Sequence, residues 1–279
     1  MRIPAATVGL VGLKPTAGAV ATDALNPGTT GVVTGPLART AADGALFFAA
    51  LSGTDTATLS RAGLDWDLGS LKIGVATDSP WQPTYPVEIS PNALVALDVG
   101  RQALEGICGR VSSVSLADDD YGRVFLTAWR RAAAGIPAFF DRTLLEPLTA
   151  WLIGAGQDLT RDQRRRNDEE LAAFRRRMSH RLEPFYIVAT PALGLDPQPV
   201  GSYSADPATN FGQQVRYSPF TSFVNVLGWP AITVPVCRVT VGARSLPASV
   251  QLVARPGQEA LLLRLATDVE RAVGAGVSP

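Results

Sequence analysis

A single histidine and two cysteines are the side chains best suited to nucleophilic or acid–base chemistry. His180 would have to serve as the base of any Ser-His-Asp triad, yet it lies among arginines on a helix face expected to contact solvent. A general base instead needs a partner acid within a cleft. Cys108 lies on the apolar stripe of a predicted helix and Cys237 at a predicted strand end. We therefore expect a surface histidine and two core thiols.

Two lysines and an acidic run complete the candidates. Lys14 lies in a rigid Gly-Leu-Lys-Pro-Thr turn, where we expect it to brace the backbone, and Lys72 opens a predicted strand. Residues 118–120 are three aspartates, which cannot all face one cation, so a solvated loop is favoured. Clustered imidazole or thiolate ligands are missing, which argues against zinc and iron sites. The residues taken alone predict no complete active site.

Composition narrows the class of protein. The 279 residues carry 25 Lys+Arg and 25 Asp+Glu, and this zero net charge argues against a general binder of nucleic acid or anionic membranes. The 46% of apolar residues excludes a disordered chain, and two cysteines exclude a disulfide-rich scaffold. No apolar run reaches the ~18 residues of a membrane span, and no signal-like segment is evident. A cytoplasmic protein is expected.

Hydrophobic periodicity and capping signals predict alternating strands and helices, which indicates an α/β fold with a covered sheet. Residues 1–36 are predicted as irregular backbone with short extended pieces. The next segment is predicted as a helix over residues 41–52, capped by Thr40 and Gly53. Its expected buried stripe is Leu46, Phe47, Ala50 and Leu51. Further predicted strands cover residues 71–76, 111–116, 186–190, 231–234 and 249–253, and further helices begin near residues 91 and 257.

The region 122–182 is predicted to be mostly helical and is rich in arginine. Residues 158–183 contain eight arginines and six acidic residues. A nucleic-acid patch is one interpretation, but the interleaved acids would repel phosphate. A solvated, ion-paired helix face is favoured.

Two neighbouring segments resemble the second half of the amidase signature. Residues 2–6 read Arg-Ile-Pro-Ala-Ala, and residues 9–18 read Gly-Leu-Val-Gly-Leu-Lys-Pro-Thr-Ala-Gly. The family pattern runs Gly-Gly-Ser-[Ile/Val]-Arg-[Ile/Val]-Pro-Ala, followed by Gly-[Val/Leu]-x-Gly-[Leu/Phe]-Lys-Pro-[Thr/Ser]-x-Gly. Further segments resemble the family in order, namely residues 35–43, 71–75, 186–191, 220–235 and 246–257. The resemblance covers the whole chain.

The resemblance implies a mixed sheet covered by helices on both faces, and hydrolysis of carboxylic amide C–N bonds by a Ser–cis-Ser–Lys triad without a cofactor. The nucleophilic Ser of the pattern would fall two residues before Arg2, and the other two triad members further upstream. No catalytic residue can therefore be assigned within this chain. Lys14 matches the Lys-Pro-Thr lysine of the pattern, which is not the catalytic one. The motif-matched supporting residues are Arg2, Pro4, Gly12, Lys14, Pro15, Thr16, Gly35, Pro36, Arg39 and Asp43.

From this resemblance, residues 1–279 are expected to be the C-terminal portion of one amidase domain, with a mostly helical, insertion-like region at about 110–185. Such a chain is expected to be inactive alone and to self-associate through exposed sheet edges. Its expected partner is a small-molecule amide, once extended upstream. Two alternatives stay open: a non-catalytic remnant that binds a ligand or a partner protein, and an amidotransferase subunit that works on charged tRNA. Phe139, Phe140 and Trp151 would suit aromatic or aliphatic amides, although core packing is favoured for them.

Overall fold

The computed structural model describes residues 1–21, 31–136 and 144–274. The strands of these ranges are β1 (Val11–Lys14), β2 (Leu37–Ala38), β3 (Lys72–Val75), β4 (Arg110–Ser113), β5 (Ile187–Pro191), β6 (Ala231–Val241) and β7 (Arg244–Ala254). The α-helices are α1 (Arg2–Val8), α2 (Ala41–Ser52), α3 (Thr56–Leu64), α4 (Pro91–Cys108), α5 (Tyr121–Ala134), α6 (Pro147–Gln157), α7 (Arg161–Leu182), α8 (Pro207–Tyr217), α9 (Ser222–Leu227) and α10 (Glu259–Val273). Most predicted elements are present, although β6 and β7 extend several residues beyond their predicted apolar runs.

Seven strands of the described chain form one mixed sheet in the order β2-β1-β6-β7-β5-β3-β4. β3 pairs in parallel with β4 and β5, and the other pairings are antiparallel. Because successive strand residues face opposite sides of a sheet, Ile187 and Val188 enter different cores. The predicted α/β fold, with helices on both faces of a mixed sheet, is confirmed.

Helices cover both faces of this sheet. α2, α3, α4 and α10 enclose the first core, where Leu252 and Leu265 are fully buried. α5, α7, α8 and α9 enclose the second core, where Phe174 and Phe223 are fully buried. The second core is the more aromatic of the two, and it borders the cavity described below.

The N-terminal segment departs from the prediction of irregular backbone, because Arg2–Val8 is a helix. Pro4 is tolerated as its third residue, since the first backbone N–H groups of a helix have no intrahelical acceptor. Gly9 ends the helix in the left-handed region at φ 77°. The helix packs on the sheet so closely that a Cβ on Gly12 would lie 2.6 Å from the Ala5 Cβ.

The predicted caps of α2 are confirmed, but its predicted buried stripe is wrong. Thr40 Oγ1 accepts a hydrogen bond from the Asp43 N–H, and Gly53 is left-handed. The buried residues are Ala41, Gly44, Phe48 and Ala49, whereas Leu46 is 60% and Phe47 is 50% exposed. The small residues face the sheet because they allow the helix axis to approach it. Leu46 and Phe47, together with the exposed Leu64 of α3, form what we call the α2–α3 apolar surface.

The arginine-rich helix α7 carries the ion-paired face expected of it. It begins with a capping box, in which Thr160 and Gln163 are bonded reciprocally. Carboxylates of α7 pair with arginines of its own helix and of α5; the N–O distances are 2.8 Å for Arg123–Glu170, 2.6 Å for Arg131–Asp168 and 2.9 Å for Arg165–Glu169.

The acidic run before α5 is only partly the solvated loop that we expected. Asp119 and Asp120 are exposed. Asp118 is buried, and its carboxylate accepts hydrogen bonds from Arg177 Nε and Nη2 at 2.9–3.1 Å. Arg177 lies 59 positions further along the chain, so no local pattern reveals this pair.

Candidate functional site

Arg2 is the centre of a buried hydrogen-bond network on the second face of the sheet. The side chain belongs to the first turn of α1, and the residue is only 5% exposed. Nη2 donates to the Thr221 backbone carbonyl at 2.8 Å and to Asn225 Oδ1 at 2.5 Å, while Nη1 donates to Gln251 Oε1 at 2.5 Å. Burial lowers the pKa of Arg2 to about 9, which leaves the guanidinium charged at neutral pH.

Gln251 and Asn225 extend this network to other segments. Gln251 Nε2 donates to Thr190 Oγ1 at 3.1 Å and to the Phe220 carbonyl at 2.8 Å. Asn225 Nδ2 donates to the Gly31 carbonyl at 2.8 Å. The network thus joins α1, β5, β7 and the α9 segment, and it holds the start of the chain rigidly against the sheet.

Lys14 lies at the end of β1 and is 2% exposed. Its Nζ donates to the Pro15 carbonyl at 2.7 Å, so it braces the turn as expected. Burial, together with the nearby positive charge of Arg2, lowers its pKa to about 7, while the carboxylate of Glu259 opposes that shift.

The Pro15–Thr16 turn is tied to the N-terminal end of α10. The Thr16 N–H donates to Glu259 Oε1 at 2.6 Å, and Thr16 Oγ1 accepts from the Gly257 N–H at 2.8 Å. The backbone at Gly35 passes close to this turn. A Cβ at this position would lie only 2.2 Å from the Leu13 carbonyl oxygen. The adjoining Pro36 carbonyl accepts from the Leu13 N–H at 3.1 Å.

Three of the motif-matched residues lie at the surface of the protein. Pro4 and Arg39 are exposed. Asp43 is also exposed, and its carboxylate accepts a hydrogen bond from Thr40 Oγ1 at 2.9 Å within the α2 cap. Asp43 thus belongs to the cap of α2, whereas Arg2 and Gly12 lie at the contact of α1 with the sheet.

A cavity of about 210 Å³ adjoins the Arg2 network. Ile3 and Asn225 line it, so the cavity wall includes the residue next to Arg2 and a direct hydrogen-bond partner of Arg2. The other lining residues are Gly31, Trp81, Phe125, Ala128, Trp129, Leu171, Phe211, Gln214, Val215, Ser218, Thr221, Ser222 and Val226. No charged side chain belongs to this lining set of described residues.

Trp81 organises the aromatic side of the cavity. Its ring is 2% exposed and makes edge-on contacts with Tyr121, Phe125 and Phe211, with centroid distances of 5.0, 5.1 and 6.0 Å. Trp129 stacks on Phe125 at 5.8 Å and is 40% exposed, which places it at the rim. Such edge-on aromatic packing fixes ring orientations.

A family model described as Amidase matches residues 1–263 of the chain. The chain belongs to the amidase family. A protein named amidase AmiA2 from Mycobacterium tuberculosis is 30% identical over 294 aligned positions, which cover 98% of this chain and 58% of that protein. The 2-amino-5-chloromuconic acid deaminase of Comamonas testosteroni is 24% identical, over 99% of this chain and 59% of its own length. The chain thus spans about three fifths of the length of the curated relatives it matches.

Solved structures agree with the family assignment at the level of fold. A 6-aminohexanoate cyclic dimer hydrolase complexed with substrate superposes with a TM-score of 0.83 at 22% identity, covering 98% of this chain and 62% of that one. A bacterial aryl acylamidase of the amidase signature enzymes superposes with a TM-score of 0.73 at 17% identity, covering 96% and 59%.

The remaining candidates of the sequence lie away from the cavity. His180 is exposed and lies 3.3 Å from Glu183 Oε2, as expected for a surface residue. Cys108 is fully buried, and burial raises its pKa to about 11, so the thiol stays protonated. Cys237 is half-buried inside β6, next to a bulge, and not at a strand end as predicted.

Metal-binding clusters and membrane-spanning helices are absent from the described ranges. Within them, no group of three or more His, Cys, Asp or Glu is placed to bind a metal ion. None of the helices in these ranges is both long enough and apolar enough to span a bilayer.

Sequence reasoning missed most of the cavity. Trp81, Phe125, Trp129, Phe211 and Ser222 were not singled out; the available signal was a tryptophan inside a Pro-rich loop, where large apolar residues need a packing partner. Phe139 and Phe140 lie outside the described residues. Trp151 packs against the second core with the Arg130 guanidinium 4.7 Å from its ring centre, so the core-packing interpretation holds for it.

Proposed function

We propose that this chain forms the substrate-side scaffold of an enzyme that hydrolyses carboxylic amide C–N bonds, and that the reactive Ser, the cis-Ser and the Lys precede Met1 in the complete enzyme. Family membership supports amide hydrolysis. The observation that carries the proposal is the apolar cavity whose wall includes Ile3, directly after Arg2. The amidase pattern places its nucleophilic serine two residues before this arginine, so the cavity adjoins the start of α1, where that serine would enter.

In the proposed enzyme, a neutral lysine accepts a proton through the cis-serine from the nucleophilic serine. The serine oxygen attacks the amide carbonyl carbon, the C–N bond breaks as the nitrogen takes a proton, and water then hydrolyses the acyl-serine ester. Arg2 fixes the backbone that follows the serine through its three hydrogen bonds. The cavity holds the apolar part of the substrate, and no metal or cofactor is needed for these steps.

The test compares the 279-residue chain with a version extended upstream to include the serine and lysine motifs. Ammonia release from butyramide and benzamide is measured, together with covalent labelling by a serine-directed fluorophosphonate. We expect turnover and labelling only in the extended protein. Turnover and labelling of the chain by itself would refute the placement of the triad, and an inactive, unlabelled extended protein would refute amide hydrolysis.

A non-catalytic ligand-binding protein is the second candidate, and one observation favours it: side chains of the described residues line a cavity with apolar walls. Ligand binding by both proteins, with no turnover by either, would support this candidate. An amidotransferase role on charged tRNA is less well supported, because acidic side chains of α7 neutralise much of its arginine charge. The extent of one amidase domain over 1–279, with a helical region at about 110–185, remains part of the proposal.

A further inference from the structure

Ser222, the first residue of α9, has both lone pairs of its hydroxyl oxygen occupied by protein donors. Trp81 Nε1–H donates to Ser222 Oγ at 3.0 Å, and the Tyr121 hydroxyl donates to the same oxygen at 2.7 Å. Both donors are rigidly placed, since Trp81 is 2% and Tyr121 0% exposed. Burial raises the pKa of Tyr121 well above its ordinary value, so the phenol keeps the proton that it donates.

In this arrangement the hydroxyl proton of Ser222 remains available for a further hydrogen bond. A serine hydroxyl has two lone pairs and one proton, so an oxygen that accepts twice can still donate once. Among the described residues no acceptor receives that proton. The hydroxyl and amide side chains that also line the cavity each donate to a protein acceptor: Thr221 to the Ser218 carbonyl, Ser218 to the Gln214 carbonyl, Gln214 to Asn210 and Asn225 to Gly31.

Ser222 also lines the cavity, so its proton has a nearby space in which to find an acceptor. The volume of about 210 Å³ is below the roughly 300–1,000 Å³ of pockets for drug-sized ligands, and it suits one ring or a compact alkyl group. A charged ligand group would find no oppositely charged side chain among the lining residues and would lose its hydration at high cost.

We propose that the Ser222 hydroxyl is a positioning donor for the substrate, and that the substrate is an uncharged amide whose single ring carries a hydrogen-bond acceptor. Calling the ligand a substrate rests on the proposed function, whereas binding of the ligand at this site does not require hydrolysis. The edge-on wall around Trp81 holds the ring, and the Ser222 proton selects a ring that presents a nitrogen or oxygen atom towards α9.

Binding of two isosteric probes to the full chain tests this proposal without any turnover. Benzamide and 4-pyridinecarboxamide differ by one ring nitrogen, with 3-pyridinecarboxamide as a second acceptor position. Affinity is read from calorimetry and from the change in intrinsic tryptophan fluorescence, to which Trp81 and Trp129 of the cavity contribute. We expect Ser222→Ala to weaken the better pyridine probe about five- to tenfold and benzamide less than twofold.

Two further variants separate positioning from folding. Ser222→Thr keeps the hydroxyl and should keep the preference for the pyridine probe. Tyr121→Phe removes one donor to Ser222 but leaves its proton, so the preference should survive there too. Equal weakening of all probes in Ser222→Ala, or no probe binding to the unaltered chain, would overturn the proposal. A bound but unhydrolysed probe in the extended protein would count against the proposed function alone.

Discussion

Arg2 and Gln251 are 249 positions apart in the chain, yet Arg2 Nη1 donates a hydrogen bond to Gln251 Oε1 at 2.5 Å. This bond fastens α1 to β7 beneath the cavity. Gln251 is itself fully buried, and its Nε2 donates hydrogen bonds to Thr190 Oγ1 and to the Phe220 carbonyl oxygen. The position of the first residues of the chain is therefore set by its last strand.

Replacing Arg2 with alanine should destabilise the protein strongly. Three acceptors would lose their donor, and a buried unsatisfied polar group costs about 1–3 kcal/mol, so we expect a loss of roughly 3 kcal/mol or more. Urea denaturation measures the free energy of unfolding. Arg39→Ala is the matched control, because Arg39 belongs to the same family pattern but is exposed. Equal effects of the two changes would contradict the network.

Lys14 should make the stability of the fold depend on pH near neutrality. Its pKa falls from 10.5 to about 7 in the folded protein, so between those values the unfolded chain binds a proton that the folded one lacks. The free energy of unfolding must then rise with pH, by up to about 1.4 kcal/mol per pH unit, and the penalty of a buried cation is largest below pH 7.

The measurement is the difference in unfolding free energy between the unaltered chain and Lys14→Met at several pH values from about 7 to about 8.5. Arg2 and the Met1 amino group also have lowered pKa values, but both groups are present in both proteins, so their contributions largely cancel in the difference. Lys72→Met is the matched control at an exposed lysine. Parallel pH profiles of the unaltered chain and Lys14→Met would show that Lys14 keeps an ordinary pKa.

Replacing either of two glycines of α6 with alanine should change the free energy of unfolding, in opposite directions for the two positions. A Cβ on Gly156 would lie 2.0 Å from the backbone carbonyl oxygen of Arg130 in α5, which cannot move aside freely. Gly156→Ala should therefore cost about 1–3 kcal/mol. Gly154 has nothing within 4 Å of its Cβ position, so Gly154→Ala should gain roughly 0.5–1 kcal/mol from the lower backbone entropy of the unfolded chain. Thermal unfolding of both variants checks the sign of each effect.

Adjacent phenylalanines of α2 provide a test of which helix face is buried. Phe48 is 4% and Phe47 50% exposed. Phe48→Ser should cost about 3–5 kcal/mol, as large-to-small changes in a core do, and Phe47→Ser only about 0.5 kcal/mol. If the α2–α3 apolar surface drives self-association, Phe47→Ser should also lower the apparent mass in light scattering. A larger loss of stability for Phe47→Ser than for Phe48→Ser would support the buried stripe that the sequence predicted.

Local signals predicted most elements of the fold correctly. Ser90 before Pro91, Thr160 with Gln163, and Gly53 after α2 are caps, whose bonding partners lie within a few residues. The buried face of α2 was mispredicted because it depends on contacts with distant segments. Large apolar side chains on α2 suggested one stripe, while packing against the sheet buried the face that carries Ala41, Gly44 and Phe48.

The candidate site was predicted only where it coincides with the family pattern. Arg2 was found through that pattern, and the structure places it beside the cavity. The cavity itself was not predicted, because Trp81 and Ser222 stand 141 positions apart and the sequence assigned no chemical role to either. Asp118 was missed similarly, since its partner Arg177 lies on a different helix.

From the sequence alone came the α/β class, the order of most strands and helices, and the amidase family, because propensities, caps and motif spacing depend on neighbouring residues. Only the tertiary structure decided that α1 is a helix clamped to β7, that an uncharged aromatic cavity lies beside it, and that Ser222 has a proton to offer there. The physical reason is that these features arise from burial and hydrogen bonding between distant segments, which exist only once the sheet order brings those segments together.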